Sequence, residues 1–327
     1  WNFPLEQIEK QVVPALLAGC CVVLKPSQYT PLTAYILAEL IDEAGYPAGV
    51  FNLVTGCGPE VGNALALHPD VRMLSFTGST AAGREVARLA LSNIKRIALE
   101  LGGKSAAILL PGGDWEFGVK AVLDTVVLNA GQTCNALTRL LVPAAEQEKA
   151  NEIILNTLKQ YKKGSNADLE SDIGPLSSRR QFDRVKKYIQ IGIDEGATLL
   201  CGGLPGQDAE YRIDPTVFVN VKPGMRIEKE EIFGPVLVVV PYETVDDAVR
   251  IANDSEYGLA GAVFGPEAEA NAVARRMRTG SIYVNYGQWD VKAPFGGYKQ
   301  SGIGREGAVE GYEEFLEVKT IYDREGE

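Results

Sequence analysis

The sequence predicts an α/β protein of two interleaved domains with largely parallel, open sheets and a cleft between them. Short apolar runs alternate with longer amphipathic segments from one end to the other, the pattern of repeated β/α units. The apolar runs are bounded by Gly, Pro or polar turns, as strands feeding βα loops are. The 327 residues, 46% apolar with 35 glycines, suffice for two packed domains of ordinary size.

In chain order, apolar positions at three- and four-residue spacing predict a helix over Leu5 to Ala18, and a short apolar run predicts a strand over Cys20 to Leu24. The same two signals alternate onward: helix Pro31 to Ala44, strands Val50 to Val54 and Met73 to Phe76, helix Ala82 to Leu91. Strands Ile97 to Leu99 and Ser105 to Leu110 follow, separated by Gly102-Gly103, the best candidate for a domain boundary. Beyond it come helix Glu116 to Asn129, strand Leu140 to Val142, and helices Glu146 to Tyr161 and Arg179 to Glu195, several with acidic first turns. Strand Val236 to Val240, helix Val245 to Asn253 and strand Ile282 to Asn285 complete the pattern.

Composition narrows the function. Lys and Arg total 32 against 43 Asp and Glu, a net charge of -11 with no basic stripe, which argues against nucleic acid as a partner. No apolar stretch reaches the roughly 18 to 20 residues of a membrane span, and the N-terminus lacks a signal-peptide pattern, so a soluble, cytoplasmic protein is expected. His68 is the single histidine and precedes Pro69, which nearly excludes histidine-based catalysis. The cysteines Cys20, Cys21, Cys57, Cys134 and Cys201 are odd in number without CxxC spacing, so reduced thiols are expected and no metal site. The chain starts at Trp1 within structured sequence, from which an absent N-terminal portion is expected.

Ligands of open parallel sheets bind beyond the carboxyl ends of the strands. Lys25-Pro26-Ser27-Gln28, Gly56-Cys57-Gly58 and Phe76-Thr77-Gly78-Ser79 follow successive strands there. Small residues with free backbone N–H groups at helix N-termini suit a pyrophosphate, and Lys25 suits ribose hydroxyls; a single such turn is usually only a turn, but three favour a nucleotide. Cys134, in Asn129-Ala130-Gly131-Gln132-Thr133-Cys134, has polar neighbours and is a candidate nucleophile, against the alternative of an inert buried thiol. Its proton acceptor must then be something other than histidine. Glu100, between two leucines at a strand end, is the candidate base, because burial there raises a carboxyl toward the required range; the alternative is an ion pair with Lys104 or Arg96. The acidic Glu228-Lys229-Glu230-Glu231 stretch reads equally as a solvated loop, and the glycine density from Phe295 to Glu306 demands unusual backbone or close approach to another segment.

Taken together these residues resemble the aldehyde dehydrogenase superfamily, from Trp1 to about Tyr322. The motifs Trp1-Asn2-Phe3-Pro4, Lys25-Pro26-Ser27, Phe76-Thr77-Gly78-Ser79, Glu100-Leu101-Gly102-Gly103-Lys104, Gly131-Gln132-Thr133-Cys134, Glu231-Ile232-Phe233-Gly234-Pro235 and Phe295-Gly296-Gly297 stand in the family's order. The resemblance implies a Rossmann-like nicotinamide domain over 1–102, a catalytic domain over 103–302, and a segment over 303–327 that returns to the cofactor domain and serves oligomerisation. It also implies NAD(P)-dependent oxidation of an aldehyde to a carboxylic acid by a homodimer or homotetramer, through a thiohemiacetal and a thioester. Cys134 is the implied nucleophile, Asn2 the oxyanion donor and Glu100 the activator of water; relatives that pass the acyl group to coenzyme A generally lack that glutamate. Glu231 is implied to hold the nicotinamide ribose, Phe233 to pack near its ring, Ser79 to meet the pyrophosphate and Lys25 the adenosine ribose. Trp1, Ser27, Gln28, Gly58, Gly78 and Gly102 complete the implied cofactor set.

Gln28 stands where most NAD-preferring relatives carry a glutamate. A neutral amide does not repel a 2′-phosphate, so NAD is expected with NADP less disfavoured than usual. On the first helix Phe3, Gln7 and Lys10 fall on one face and could line the aldehyde entrance, which hints at a polar or anionic aldehyde; the alternative is a solvated face. Trp289 and Phe295 are further candidates for the pocket wall. A different class of function also stands open, an inactive fragment that only binds nucleotide or serves in assembly.

Overall fold

The computed structural model describes residues 1–206, 209–285, 287 and 289–324. Its strands are β1 (Val22–Leu24), β2 (Phe51–Leu53), β3 (Met73–Thr77), β4 (Arg96–Glu100), β5 (Ala106–Leu109), β6 (Arg139–Pro143), β7 (Thr198–Cys201), β8 (Thr216–Val219), β9 (Val236–Tyr242), β10 (Tyr257–Gly258), β11 (Ala260–Phe264), β12 (Ser281–Val284), β13 (Tyr298–Lys299) and β14 (Gly302–Ile303). Its helices are α1 (Pro4–Leu17), α2 (Leu32–Glu43), α3 (Asn63–Leu67), α4 (Thr80–Ala90), α5 (Trp115–Val127), α6 (Gln147–Leu158), α7 (Arg179–Asp194), α8 (Arg226–Lys229), α9 (Val245–Asn253), α10 (Glu267–Ala274) and α11 (Ala308–Glu313).

The largest sheet has seven strands in the order β12-β11-β5-β6-β9-β8-β7, parallel throughout except for β7 at its edge. Both faces are covered, which is why its central strands read as continuous apolar runs rather than as alternations. Strand β9 makes the point: Val236, Val238 and Val240 enter one core with Phe182, Val185 and Ile189 of α7, while Leu237 and Val239 enter the other with Leu123 and Val126 of α5. Earlier in the chain, β1 pairs with β2 and β3 with β4, both in parallel. Helices α1 and α2 cover the first pair through Ile8, Val12 and Ala34.

The predicted helices and strands all exist, with ends that coincide or are displaced by up to three residues. Some displacements have clear causes. Ser79 accepts a hydrogen bond from the Ala82 amide and starts α4 at Thr80, two residues before the predicted start. Strand β4 extends through Glu100, placing this carboxylate on the last strand residue. Several elements lacked a sequence signal. Strand β11 lies between β5 and β12, yet its Ala-Gly-Ala start has no β-branched residue; an added β-carbon on Gly261 would come within 2.7 Å of Met277.

Near the C-terminus the chain returns to β4. Strand β14 pairs antiparallel with it, Gly302 opposite Glu100. Arg96 on β4 then ties down the following segment through the Leu316 carbonyl and the Glu314 and Glu317 carboxylates. Among the described residues no helix is long and apolar enough to cross a membrane.

Candidate active site

Helix α5 ends at Val127, and soon after it Asn129, Ala130 and Gly131 take left-handed φ values of 51°, 53° and 72°. Two of the three carry a β-carbon, so this conformation is costly and must be held by its surroundings. Asn129 Nδ2 donates to the Asn2 carbonyl at 3.0 Å, Gln132 Nε2 to the Asn129 carbonyl at 2.9 Å, and the Ser177 amide to Gln132 Oε1 at 3.0 Å. The loop so fixed carries Cys134, which is half-buried. Asn2 comes to the same loop from the start of α1, its side-chain amide donating to the Gln132 carbonyl at 3.0 Å. That bond uses one of the two amide protons and leaves the second for another acceptor.

Three carboxylates, Glu100 and Glu306 buried and Glu231 partly buried, act electrostatically on this thiol. Burial pushes Cys134 up to about 12; the charges of Glu231, Glu100 and Glu306 act in the same direction and Lys10 opposes them. Glu100 is only 6% exposed, and neither carboxylate oxygen has a hydrogen-bond partner among the described residues. Burial drives it up to about 9, with Glu306 adding and Arg305 and Lys10 opposing. Close approach explains one glycine of the C-terminal motif: a β-carbon on Gly296 would lie 2.6 Å from Glu100 Oε1. Glu231 accepts from the Gly103 amide at 3.1 Å, and burial holds it at about 7.

Other predicted residues join this cluster. Trp1 meets Phe233 edge-on at 5.3 Å, and Trp289 meets Phe295 at 5.6 Å. Lys10 Nζ lies 5.4 Å and 5.2 Å from the centroids of these last two rings and 2.5 Å from Glu6 Oε1. The Glu6 carboxylate is partly exposed, so the pair contributes under about 1 kcal/mol. Phe3 ends the loop before α1, its carbonyl accepting from the Gln7 amide; Gln7 Oε1 is buried without a partner among the described residues.

A second group gathers at the ends of β1 to β3. Lys25 Nζ donates to the carbonyls of Pro26 at 2.7 Å and Gly56 at 3.3 Å, and burial lowers its pKa while the neighbouring Cys57 opposes the shift. Gln28 and Gly58 are exposed, and Ser27 Oγ accepts from the Tyr29 amide. Gly78 donates to the Glu100 carbonyl at 3.0 Å, so the Gly78-Ser79 turn starts α4 beside the end of β4. The structure thus brings Asn2, Cys134, Glu100, Gly102, Glu231 and Phe233 together and leaves Lys25, Ser27, Gln28 and Gly58 as a separate group. His68 is exposed.

Two alternatives raised by the sequence are overturned. Among the described residues Glu100 forms no ion pair with Arg96, which binds Glu314 and Glu317, or with Lys104, whose buried Nζ has no hydrogen-bond partner there. The 228–231 stretch is no solvated loop: Glu228 is fully buried against Arg139 at 2.8 Å, and Glu230 pairs with Arg226 and Tyr188. Glu306 was missed as a site residue although it closes the quoted glycine motif. It is 6% exposed, accepts from Gln11 at 3.2 Å, and is held above its usual range by burial. Adjacent glycines made the segment look like a backbone device, which hid its one buried carboxylate.

Comparison with known proteins gives a consistent picture. The model of the aldehyde dehydrogenase family matches residues 1–321. The chain is 49% identical over 330 residues to 3-succinoylsemialdehyde-pyridine dehydrogenase of a Pseudomonas species, covering all of this chain and 69% of that protein. A putative aldehyde dehydrogenase of Staphylococcus saprophyticus is 47% identical over 98% of this chain and 68% of its own length. Among solved structures, a mutant aldehyde dehydrogenase C of Pseudomonas syringae in complex with NAD+ and octanal superposes with a TM-score of 0.96 at 48% identity, covering 98% of this chain and 67% of that one. An aldehyde dehydrogenase of Mycobacterium tuberculosis complexed with NAD+ does so at 0.93 and 46%, covering 96% and 66%. The chain spans about two thirds of the length of these relatives, and with its motifs, fold and clustered residues it belongs to the aldehyde dehydrogenase family, the NAD(P)-dependent enzymes that oxidise aldehydes.

Proposed function

We propose that this chain oxidises an aldehyde to a carboxylic acid on Cys134. The observation that carries the assignment is the approach of Asn2 and of the Glu100 motif to the Cys134 loop from distant parts of the sequence. The thiolate of Cys134 attacks the carbonyl carbon and pushes its electron pair onto the oxygen. That oxyanion takes hydrogen bonds from the Cys134 amide and from the free proton of the Asn2 amide, whose loss costs roughly 10²–10³ in rate. The nicotinamide cofactor, when bound, supplies the hydride acceptor. Glu100, as the carboxylate, takes a proton from water as the water attacks the thioester, and the Cys134 thiol is released with the acid. The same carboxylate can also assist removal of the thiol proton at the outset.

The cofactor assignment is supported by the character of the residues present. Glu231 offers a carboxylate to ribose hydroxyls beside Gly102 and Gly103, Ser79 opens an eleven-residue helix, and Lys25 stands at the end of β1. Trp1, Phe233 and Gly78 border the same region, with Ser27, Gln28 and Gly58 toward the adenosine. NAD is the assigned cofactor, NADP remaining accessible through Gln28. We assign 1–102 to cofactor binding, 103–302 to catalysis and 303–327 to the return segment. Exposed Val318, Ile321 and Tyr322 support association through that segment as a homodimer or homotetramer, which light scattering reads directly.

The test follows absorbance of reduced nicotinamide with the purified chain, NAD+ or NADP+, and apolar, polar and anionic aldehydes. Turnover that disappears in Cys134→Ala supports the assignment. Folded protein that binds NAD+ and turns over no aldehyde overturns it in favour of a nucleotide-binding module.

A further inference from the structure

Asn2, Gln132 and Asn129 form a closed ring of hydrogen bonds. Asn2 Nδ2 donates to the Gln132 carbonyl at 3.0 Å, Gln132 Nε2 to the Asn129 carbonyl at 2.9 Å, and Asn129 Nδ2 to the Asn2 carbonyl at 3.0 Å. Each residue gives a side-chain proton to the backbone of the next, and the ring joins the start of the chain to the nucleophile loop across 130 positions. Gln132 is only 2% exposed, and both ends of its amide are occupied, since Oε1 accepts from Ser177. The ring also holds backbone that is costly by itself, with Asn129 and Ala130 at φ 51° and 53°. On its other side the loop packs backbone to backbone, because a β-carbon on Gly131 would lie 2.2 Å from the Gly234 carbonyl oxygen.

We propose that Gln132 and Asn129 are positioning residues for the oxyanion donor, holding the Asn2 amide so that one proton stays on the Gln132 carbonyl and the other remains for the substrate oxygen. The proposal rests on the dehydrogenase reading and on Asn2 as its oxyanion donor. The terminal torsion of a free asparagine side chain is broad, and every orientation away from the productive one weakens stabilisation of the transition state. The ring removes that freedom from two directions. The Gln132 carbonyl takes one amide proton, and Asn129 holds the backbone from which the Asn2 side chain springs. The Gln132 carbonyl is in turn placed by its own side chain: the residue has φ −84° and ψ 55°, outside the helical and strand regions, and its amide anchors it to Asn129 and Ser177. Opening one bond of such a ring loosens the other two, so the three act as a unit.

The test measures kcat/KM at saturating NAD+ with the best substrate among straight-chain alkanals and their ω-carboxylates. Gln132→Met is expected to lower kcat/KM by about 10- to 100-fold while KM for NAD+ changes by less than about twofold, because the lost stabilisation belongs to the carbonyl oxygen and not to the cofactor. Asn129→Gly accepts the left-handed φ without cost and removes only the Nδ2 donor, and is expected to lower kcat/KM by about tenfold. Asn129 is exposed, so this variant keeps the test open where thermal melts show that Gln132→Met does not fold. Asn2→Ala itself should lose roughly 10²–10³. Added to Asn2→Ala, the two ring substitutions are expected to cost less than about threefold more, since the group they position is gone. Losses that multiply in full on Asn2→Ala, or parent values of kcat/KM in the folded ring variants, overturn the proposal and leave the dehydrogenase standing. A parent chain that oxidises no aldehyde of either series removes both.

Discussion

A β-carbon on Gly103 would lie 2.7 Å from the carbonyl oxygen of Cys134, so the backbone of the Glu100 motif is in direct contact with the nucleophile's own backbone. On the other side the Gly103 amide donates to Glu231 at 3.1 Å. The double glycine is therefore the hub through which Glu100, Cys134 and Glu231, the proposed base, nucleophile and cofactor carboxylate, keep their spacing.

Adjacent substitutions at this hub are expected to differ. In Gly103→Ala the new methyl meets a backbone carbonyl and Leu259 at 3.1 Å, and the nucleophile loop must move. A displacement of about 1 Å at the reacting atom costs on the order of 10² in rate, so kcat should fall by at least that much. In Gly102→Ala the methyl meets the Glu231 carboxylate at 2.2 Å, a side-chain end that can swing away. The main effect there should be a higher KM for the cofactor, measured by steady-state kinetics with NAD+ varied.

The rate should rise with pH. Glu100 acts as a base only when ionised, and its pKa of about 9 lies well above the ordinary carboxylate range. The active form is therefore scarce at pH 7 and accumulates as pH approaches 9. Glu100→Gln should lower hydrolysis by roughly 10²–10⁴ and remove this limb of the profile. Rapid-quench measurement of thioester on Cys134 checks the step, since the variant should accumulate acyl-enzyme.

Arg139 and Glu228 form a stability anchor rather than a catalytic one. Arg139 donates to Glu228 at 2.8 Å and to the carbonyls of Lys104, Ile251 and Ala252 at 2.8 to 3.0 Å, all without access to water. Removing one charge leaves the other buried and unpaired. Glu228→Leu should lower unfolding free energy by about 3–5 kcal/mol in urea titrations.

Gln28→Glu should sharpen cofactor choice. The added carboxylate repels a 2′-phosphate and can accept from a 2′-hydroxyl. The ratio of kcat/KM for NADP+ to that for NAD+ is expected to fall at least tenfold, and an unchanged ratio would place the adenosine ribose away from Gln28.

Much of the fold was legible because its signals are local. The apolar runs of β5, β6 and β9 and the amphipathic spacing of α5 and α7 identify themselves within a dozen residues. Strand β11 escaped because it is specified by neighbours that demand small residues, and small residues carry little strand signal. The short β10, β13 and β14 escaped because their pairing partners lie far along the chain.

The sequence by itself determined the order of motifs, and with it the family and the candidate roles of Cys134, Glu100 and Asn2, since residue type and nearest neighbours suffice for that. Only the tertiary structure decided the electrostatic state of these groups. Glu306 reaches Glu100 across 206 positions, Lys10 reaches Trp289 and Phe295 across most of the chain, and Glu228 finds Arg139 across 89 positions. Proton affinity and pairing energy depend on burial and on charges nearby in space, and folding, not chain order, makes those charges neighbours.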